Sequence, residues 1–367
     1  MATAGSVDAS HEHGHDDDHG HGRFIAHHFE SAEQQFDSSK LGMWLFLVQE
    51  LLFFTGLFVA YTLLRNHHPE IFEAAHVFLN KTLGGVNTVV LLFSSLTMAW
   101  AVRCSQLEQH KGTVICLVIT LVCAAVFLGI KAVEYSHKWS QGLFWAGSFD
   151  PGTHDTPYLL LLSIPFAIGL VACGGLSAFH KATKSEIWAK FFLGMAITFA
   201  GYFLGVGLGT VVEGMHSGSE HGSQHASLLE TRSQILLLAD DTAKADDKTS
   251  KDDAAAVKEP HIDDAGKPAA ETGHEGTTET AEAHAKEEAE QILKQELGSF
   301  FSIYYIMTGL HALHIIGGVV VLAWLLYRAL ALHFRKDYFG PVENVGLYWH
   351  LVDLIWIFLF PLMYLIH

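Results

Sequence analysis

Glu50 stands in the middle of GMWLFLVQELLFFTGLFVAY, residues 42 to 61, where nearly every other side chain prefers hydrocarbon. A carboxylate so placed can bind a proton, a cation or a polar headgroup, because an ionised and unpaired group is costly in an apolar medium. Further groups invite the same question. His311 and His314 lie three apart in FFSIYYIMTGLHALHIIGG, close together on a helix face, and Gly317 and Gly318 after them permit a neighbouring helix to approach. His350 and Asp353 repeat that spacing in ENVGLYWHLVDLIWIFLFPLMY, beside Tyr348 and Trp349, which are interfacial in type. The N-terminal HEHGHDDDHGHG mixes imidazole and carboxylate, ligand types that suit zinc, copper or nickel, but no spacing there fixes a closed four-ligand site.

The elements that position these residues are legible once the chain is cut by composition. The formal charge of −17 is uneven: residues 1 to 40 hold 8 acids and 2 bases, residues 213 to 297 hold 20 acids and 8 bases, and the rest is nearly neutral. The neutral body contains seven apolar runs, at about 41 to 64, 86 to 102, 113 to 132, 157 to 180, 188 to 212, 299 to 327 and 346 to 366. Each is long enough to cross a hydrocarbon layer of roughly 30 Å. The expected fold is an all-α polytopic membrane bundle of about seven transmembrane helices. Glu50 falls about nine residues into the first, or roughly 14 Å along it, near the midplane. No Glu-x-x-His, the motif that two helices of a di-iron bundle supply, lies within these runs, so no metal is expected there. Cys104, Cys116, Cys123 and Cys173 form no CxxC pair and read as packing residues.

Lys and Arg in the short loops set an expected orientation. With the N-terminus inside, the inner loops hold Arg103, Lys111, Lys181, Lys184, Lys190, Arg328, Arg335 and Lys336, against Arg65, Lys81, Lys131 and Lys138 outside. That bias favours N-terminus in and C-terminus out. No apolar segment of signal-peptide type precedes the first run. Residues 1 to 40 read as a disordered His-rich tail, and 213 to 297 as an acidic, mostly disordered external insert. The end of the insert, AEAHAKEEAEQILKQELG, has the composition of a helix feeding the next span. Runs one to five then occupy 41 to 212, and the last two 298 to 367.

GMWLFLVQELLFFTGLFVAY, VNTVVLLFSSLTMAWA, FLGIKAVEY, FFSIYYIMTGLHALHIIGG and YWHLVDLIWIFLFPLMY, in that order, resemble subunit III of the heme-copper terminal oxidases, the cytochrome c oxidase type. The resemblance covers about 41 to 150 and 298 to 367. It implies a membrane subunit without haem or copper of its own, those being held by partner subunits. The implied partners are oxidase subunits I and II, phospholipid, and cytochrome c as donor to the complex, in a bacterial cytoplasmic membrane; no nucleic acid is expected. Such a subunit binds phospholipid in a cleft and supports proton uptake and stability of the catalytic subunit. Carried over by motif, Glu50 is the buried carboxylate of that cleft, and His314, Arg328 and His333 are headgroup candidates. His311, His350, Asp353 and Glu134 are structural polar positions. Two features depart from the family: Gln49 replaces a small residue before the carboxylate, and the pair of runs within 157 to 212 carries no family motif. A quinol oxidase subunit is the near alternative. A metal-ion transporter, prompted by the His-rich tail, and a lipid-binding assembly factor are the rivals of other classes.

Overall fold

Helices that cross a bilayer must satisfy their backbone hydrogen bonds internally, and they keep doing so past the last apolar residue. The computed structural model describes residues 29, 31–67, 69–75, 78–145, 148, 156–215, 275–334 and 338–365, with side chains at all of these except 32, 70, 73, 74 and 275–296. These residues form an all-α fold of helices α1 (Ala32–His67), α2 (Pro69–Ala75), α3 (Lys81–Gln106), α4 (His110–Ser140), α5 (Tyr158–Ala182), α6 (Glu186–Met215), α7 (Glu275–Leu330) and α8 (Gly340–Tyr364). All but α2 are long and apolar enough to span a membrane. Most of the helices outrun the apolar runs, α7 most of all, and α4 does so by eight residues at its C-terminal end. The apolar run of α4 stops at 132 because Lys131, Glu134 and Lys138 have the composition of loop charges, yet all three lie inside the helix and are buried.

Most of the acidic insert and of the His-rich tail lies outside the described residues. Where the insert ends, no boundary interrupts the backbone at 297: α7 is a single helix of 56 residues that carries the Ala- and Glu-rich stretch directly into the span.

Four helices end alike. After α3, α4, α5 and α7 the chain turns through a left-handed residue, respectively Glu108, Gly142, Lys184 and Leu332. The next N–H then bonds back to the carbonyl of Cys104, Lys138, His180 and Arg328. These are Schellman closures, which satisfy carbonyls that the helix end would orphan. Only one of the four uses the glycine that such a turn prefers. At its other end α3 is capped by Asn80, whose Oδ1 accepts from the N–H of Thr82 and Leu83 at 3.0 and 3.2 Å.

Packing centres on α3, α4, α7 and α8, with α1 and α5 burying least at the edges. The core between them is aromatic: Phe54, Tyr61, Phe127, Phe300, Phe301, Tyr304, Trp349, Trp356 and Tyr364 are all essentially inaccessible. Trp349, interfacial by type, is thus a core residue, and its indole N–H donates to Ser94 Oγ at 2.7 Å. Gly318 faces the Trp349 ring, where a methyl group would collide. On the other side of α4, α6 crosses at Gly129 and Gly205. A Cβ on either would overlap the partner's backbone, so the two helices touch main chain to main chain.

Candidate functional site

Glu50 on α1 and His314 on α7 meet. Glu50 Oε2 lies 3.0 Å from His314 Nε2, with 13% and 20% of the two side chains exposed. His314 Nδ1 is 2.7 Å from the Leu310 carbonyl, which can only accept, so Nδ1 carries a proton. The Glu50 contact therefore needs one more proton, on the imidazole or on the carboxyl. The pair is a holder of one shared proton at the level of the apolar core. Its ring is fixed by Phe54, edge-on at a centroid distance of 5.1 Å, and by Tyr348, whose hydroxyl donates to the His314 carbonyl at 2.8 Å. Gln49 neither crowds nor bonds the carboxylate; its side chain is exposed on the outer face of α1.

His314 is consequently separated from the two residues it was grouped with. Arg328 lies fourteen residues further along α7, about 21 Å at helical rise. There its guanidinium sits 5.0 Å from the Trp324 ring and 5.4 Å from the Tyr338 ring. His333 follows in the turn that closes α7, its N–H bonded to the Arg328 carbonyl at 3.1 Å. Arg328 Nε and His333 Nδ1 are both buried without a hydrogen-bond partner.

A second polar centre lies where the aromatic core is densest. Glu134 Oε2 accepts from Lys131 Nζ at 2.8 Å, and Oε1 accepts from Lys138 Nζ at 2.9 Å. Tyr304 and Tyr364 hydroxyls also donate to Oε1, at 2.7 and 2.6 Å. Lys131 is further enclosed by Trp356, 4.6 Å from its ring centroid. Two ammonium groups share one carboxylate here, and the phenols and aromatic faces supply what replaces water. Glu134 alone was singled out from sequence. The i, i+3 and i, i+4 spacing of Lys131, Glu134 and Lys138 was the available signal.

The remaining polar positions divide. His350 links α8 to α3 through a 2.6 Å contact of Nδ1 with Ser95 Oγ. His311 ties no helices by hydrogen bonding: it is wholly buried against Phe127 and Trp356, and neither ring nitrogen has a partner. Asp353 is buried on α8 with Ser95 of α3 as its polar neighbour. The extended α4 also brings in a Glu-x-x-His, Glu134 to His137, that the shorter run excluded, and Glu213 to His216 is a second whose histidine lies outside the described residues. Glu134 is occupied by the lysines, while His137 contacts Glu213 at 3.3 Å. Among the described residues no group of three or more His, Cys, Asp or Glu is placed to hold a metal ion.

Comparison with known proteins bears on the whole arrangement. Residues 16–143 and 284–367, more than half of the chain, match the family model for cytochrome c oxidase subunit III. The interval left between them holds α5 and α6. Cytochrome c oxidase subunit 3 of Prototheca wickerhamii is 39% identical over 67 residues, 18% of this chain and 26% of that protein. Quinol oxidase subunit 3 of Bacillus spizizenii is 31% identical over 161 residues, 40% of this chain and 74% of that protein. Heme-copper oxidase subunit I+III of Aeropyrum pernix is 38% identical over 72 residues, 19% of this chain and 9% of that protein. No solved structure gives a significant match. Both family-matching segments carry the residues described above, Glu50 and Glu134 in the first and His311, His314, Arg328, His350 and Asp353 in the second, and the chain belongs to the cytochrome c oxidase subunit III family.

Proposed function

We propose that the chain is the haem- and copper-free subunit III of a proton-pumping cytochrome c oxidase, assembled with subunits I and II in a membrane with its N-terminus inside. In this role it holds phospholipid between its helices and supports proton uptake by the catalytic subunit. The observation that carries the reading is the Glu50–His314 pair, a one-proton site on a lipid-facing helix. Such a pair can take a proton from one side and pass it on without placing a lone charge in hydrocarbon. Arg328 and His333, with buried unbonded nitrogens, suit the phosphate of a lipid whose acyl chains lie along α1 and α7. The fused name of the Aeropyrum pernix relative, I+III, supports a subunit I partner.

The test is purification of the membrane complex through a tag on this chain, with an optical spectrum and oxygen consumption. Copurifying haem absorbance with oxygen uptake is the expected result; a haem-free preparation overturns the reading. A quinol-oxidising complex is the second reading, favoured by the 74% of the Bacillus spizizenii quinol oxidase subunit that aligns. Turnover with reduced cytochrome c against turnover with a quinol separates the two.

A further inference from the structure

At the turn between α5 and α6 lies a cavity of about 540 Å³ lined by Lys181, Lys184 and Lys190 together with Ser177, Glu186 and Leu193. We infer that this cavity seats the phosphate headgroup of an anionic membrane phospholipid, at a site whose lining shares no residue with the Glu50 or Arg328 regions.

Charge is the first argument. Glu186 is spent on Lys190, 2.8 Å away, while among the described residues neither Lys181 nor Lys184 takes part in an ion pair. The cavity is left with two uncompensated ammonium groups. Geometry is the second. Lys184 is the left-handed residue of the Schellman closure, φ 61°, and its N–H bonds the Lys181 carbonyl, so one turn fixes both stems. Ser177 Oγ donates to the Ala189 carbonyl at 2.9 Å and ties the two walls together. A phosphate can thus meet the Lys181 ammonium at the end of α5 and the Lys184 ammonium in the turn without reorganising the backbone.

The third argument is what adjoins the cavity. His180, Trp188 and Phe192 form a stack, with centroids 5.5 to 6.2 Å apart, of the kind that sits at a membrane boundary. Phe179, Ile187 and Leu193 are exposed beside it. A cationic mouth above exposed apolar walls matches an amphiphile and gives a soluble anion nothing for its lower half.

The experiment uses the full chain in its detergent-purified, delipidated complex, titrated with phosphatidylglycerol, phosphatidylcholine or inorganic phosphate and read by native mass spectrometry. Phosphatidylglycerol is expected to bind in preference to phosphatidylcholine. The K181Q/K184Q variant should weaken the phosphatidylglycerol affinity on the order of thirtyfold while oxygen consumption is unchanged. Glu186→Gln, which frees Lys190, should tighten it, an effect that damaged folding would not produce. Equal phosphatidylglycerol binding by the parent and K181Q/K184Q overturns the site. Inorganic phosphate that displaces the lipid at comparable concentration overturns the lipid as its ligand. Loss of oxygen consumption in the parent complex would bear on the oxidase reading alone.

Discussion

Glu50→Gln keeps the size of the side chain and lets an amide N–H donate to His314 Nε2, but it abolishes the shared proton. Assembly and haem content should therefore be unchanged, while proton-uptake kinetics or lipid retention alters; a complex that fails to assemble would make Glu50 primarily structural. His314→Ala instead leaves the Glu50 carboxylate without its partner, an expected loss of about 1–3 kcal/mol seen as a lower melting temperature in detergent. At the second polar centre the sign depends on how much is removed. Glu134→Leu strands Lys131 and Lys138 in the core and should destabilise by about 3–5 kcal/mol, whereas replacing all three by apolar residues of similar volume should approach neutrality. Thermal unfolding of the two variants decides between these outcomes. Glu50 was legible because a carboxylate near the middle of an apolar run is costly there and requires a proton or a partner. Its pairing with His314 was not, since the two are 264 residues apart and only the packing of α1 on α7 joins them. The Lys131 cluster was missed for the opposite reason: charges at the edge of an apolar run look like its end, and burial is what distinguishes an end from a core network.

At the scale of elements, the seven spans were readable from apolar length, and their caps were not, because capping is geometry rather than composition. Asn80 shows the difference. It caps α3 and also donates to Glu213 Oε2 at 3.0 Å, fastening the start of α3 to the end of α6. Asn80→Ala should cost about 1 kcal/mol for the cap alone; Asn80→Asp keeps the cap but sets a carboxylate against Glu213, so it should recover little. Melting temperatures of the two variants are the check. Leu332 is the converse case, a β-less turn position filled by an exposed side chain at φ 58°. Leu332→Gly should raise stability by about 0.5–1 kcal/mol, with the Arg328 carbonyl still bonded by the next N–H. Phe-Leu-Gly occurs in both ITLVCAAVFLGIKAVE on α4 and ITFAGYFLGVGLGTVVE on α6, and it places Gly129 against Gly205 where the helices cross.

For the molecule as a whole, the interval absent from the family match is the pair α5 and α6 with the insert that follows. Two crossings were added, so α7 and α8 keep the sense they would have without them, whichever end of the chain faces inward. Addition of one helix would have inverted both. This pair is nevertheless built into the bundle. Gly129 on α4 admits the α6 backbone, Tyr202 is buried and stacks on Phe166 of α5 at 3.8 Å, and Trp188 packs on Tyr327 of α7 at 4.9 Å. Joining residue 143 to residue 284 should therefore preserve topology while uncovering the face of α4 that holds Val126 and Gly129. The expected outcome is a chain whose C-terminus labels from the same side of the membrane as the parent, but which melts at a lower temperature in detergent. Cysteine accessibility at each terminus and a thermal scan measure the two effects separately. A C-terminus found on the opposite side would mean that α5 and α6 do not form a paired crossing. An unchanged melting temperature would mean that the glycine contact between α4 and α6 contributes nothing to the bundle.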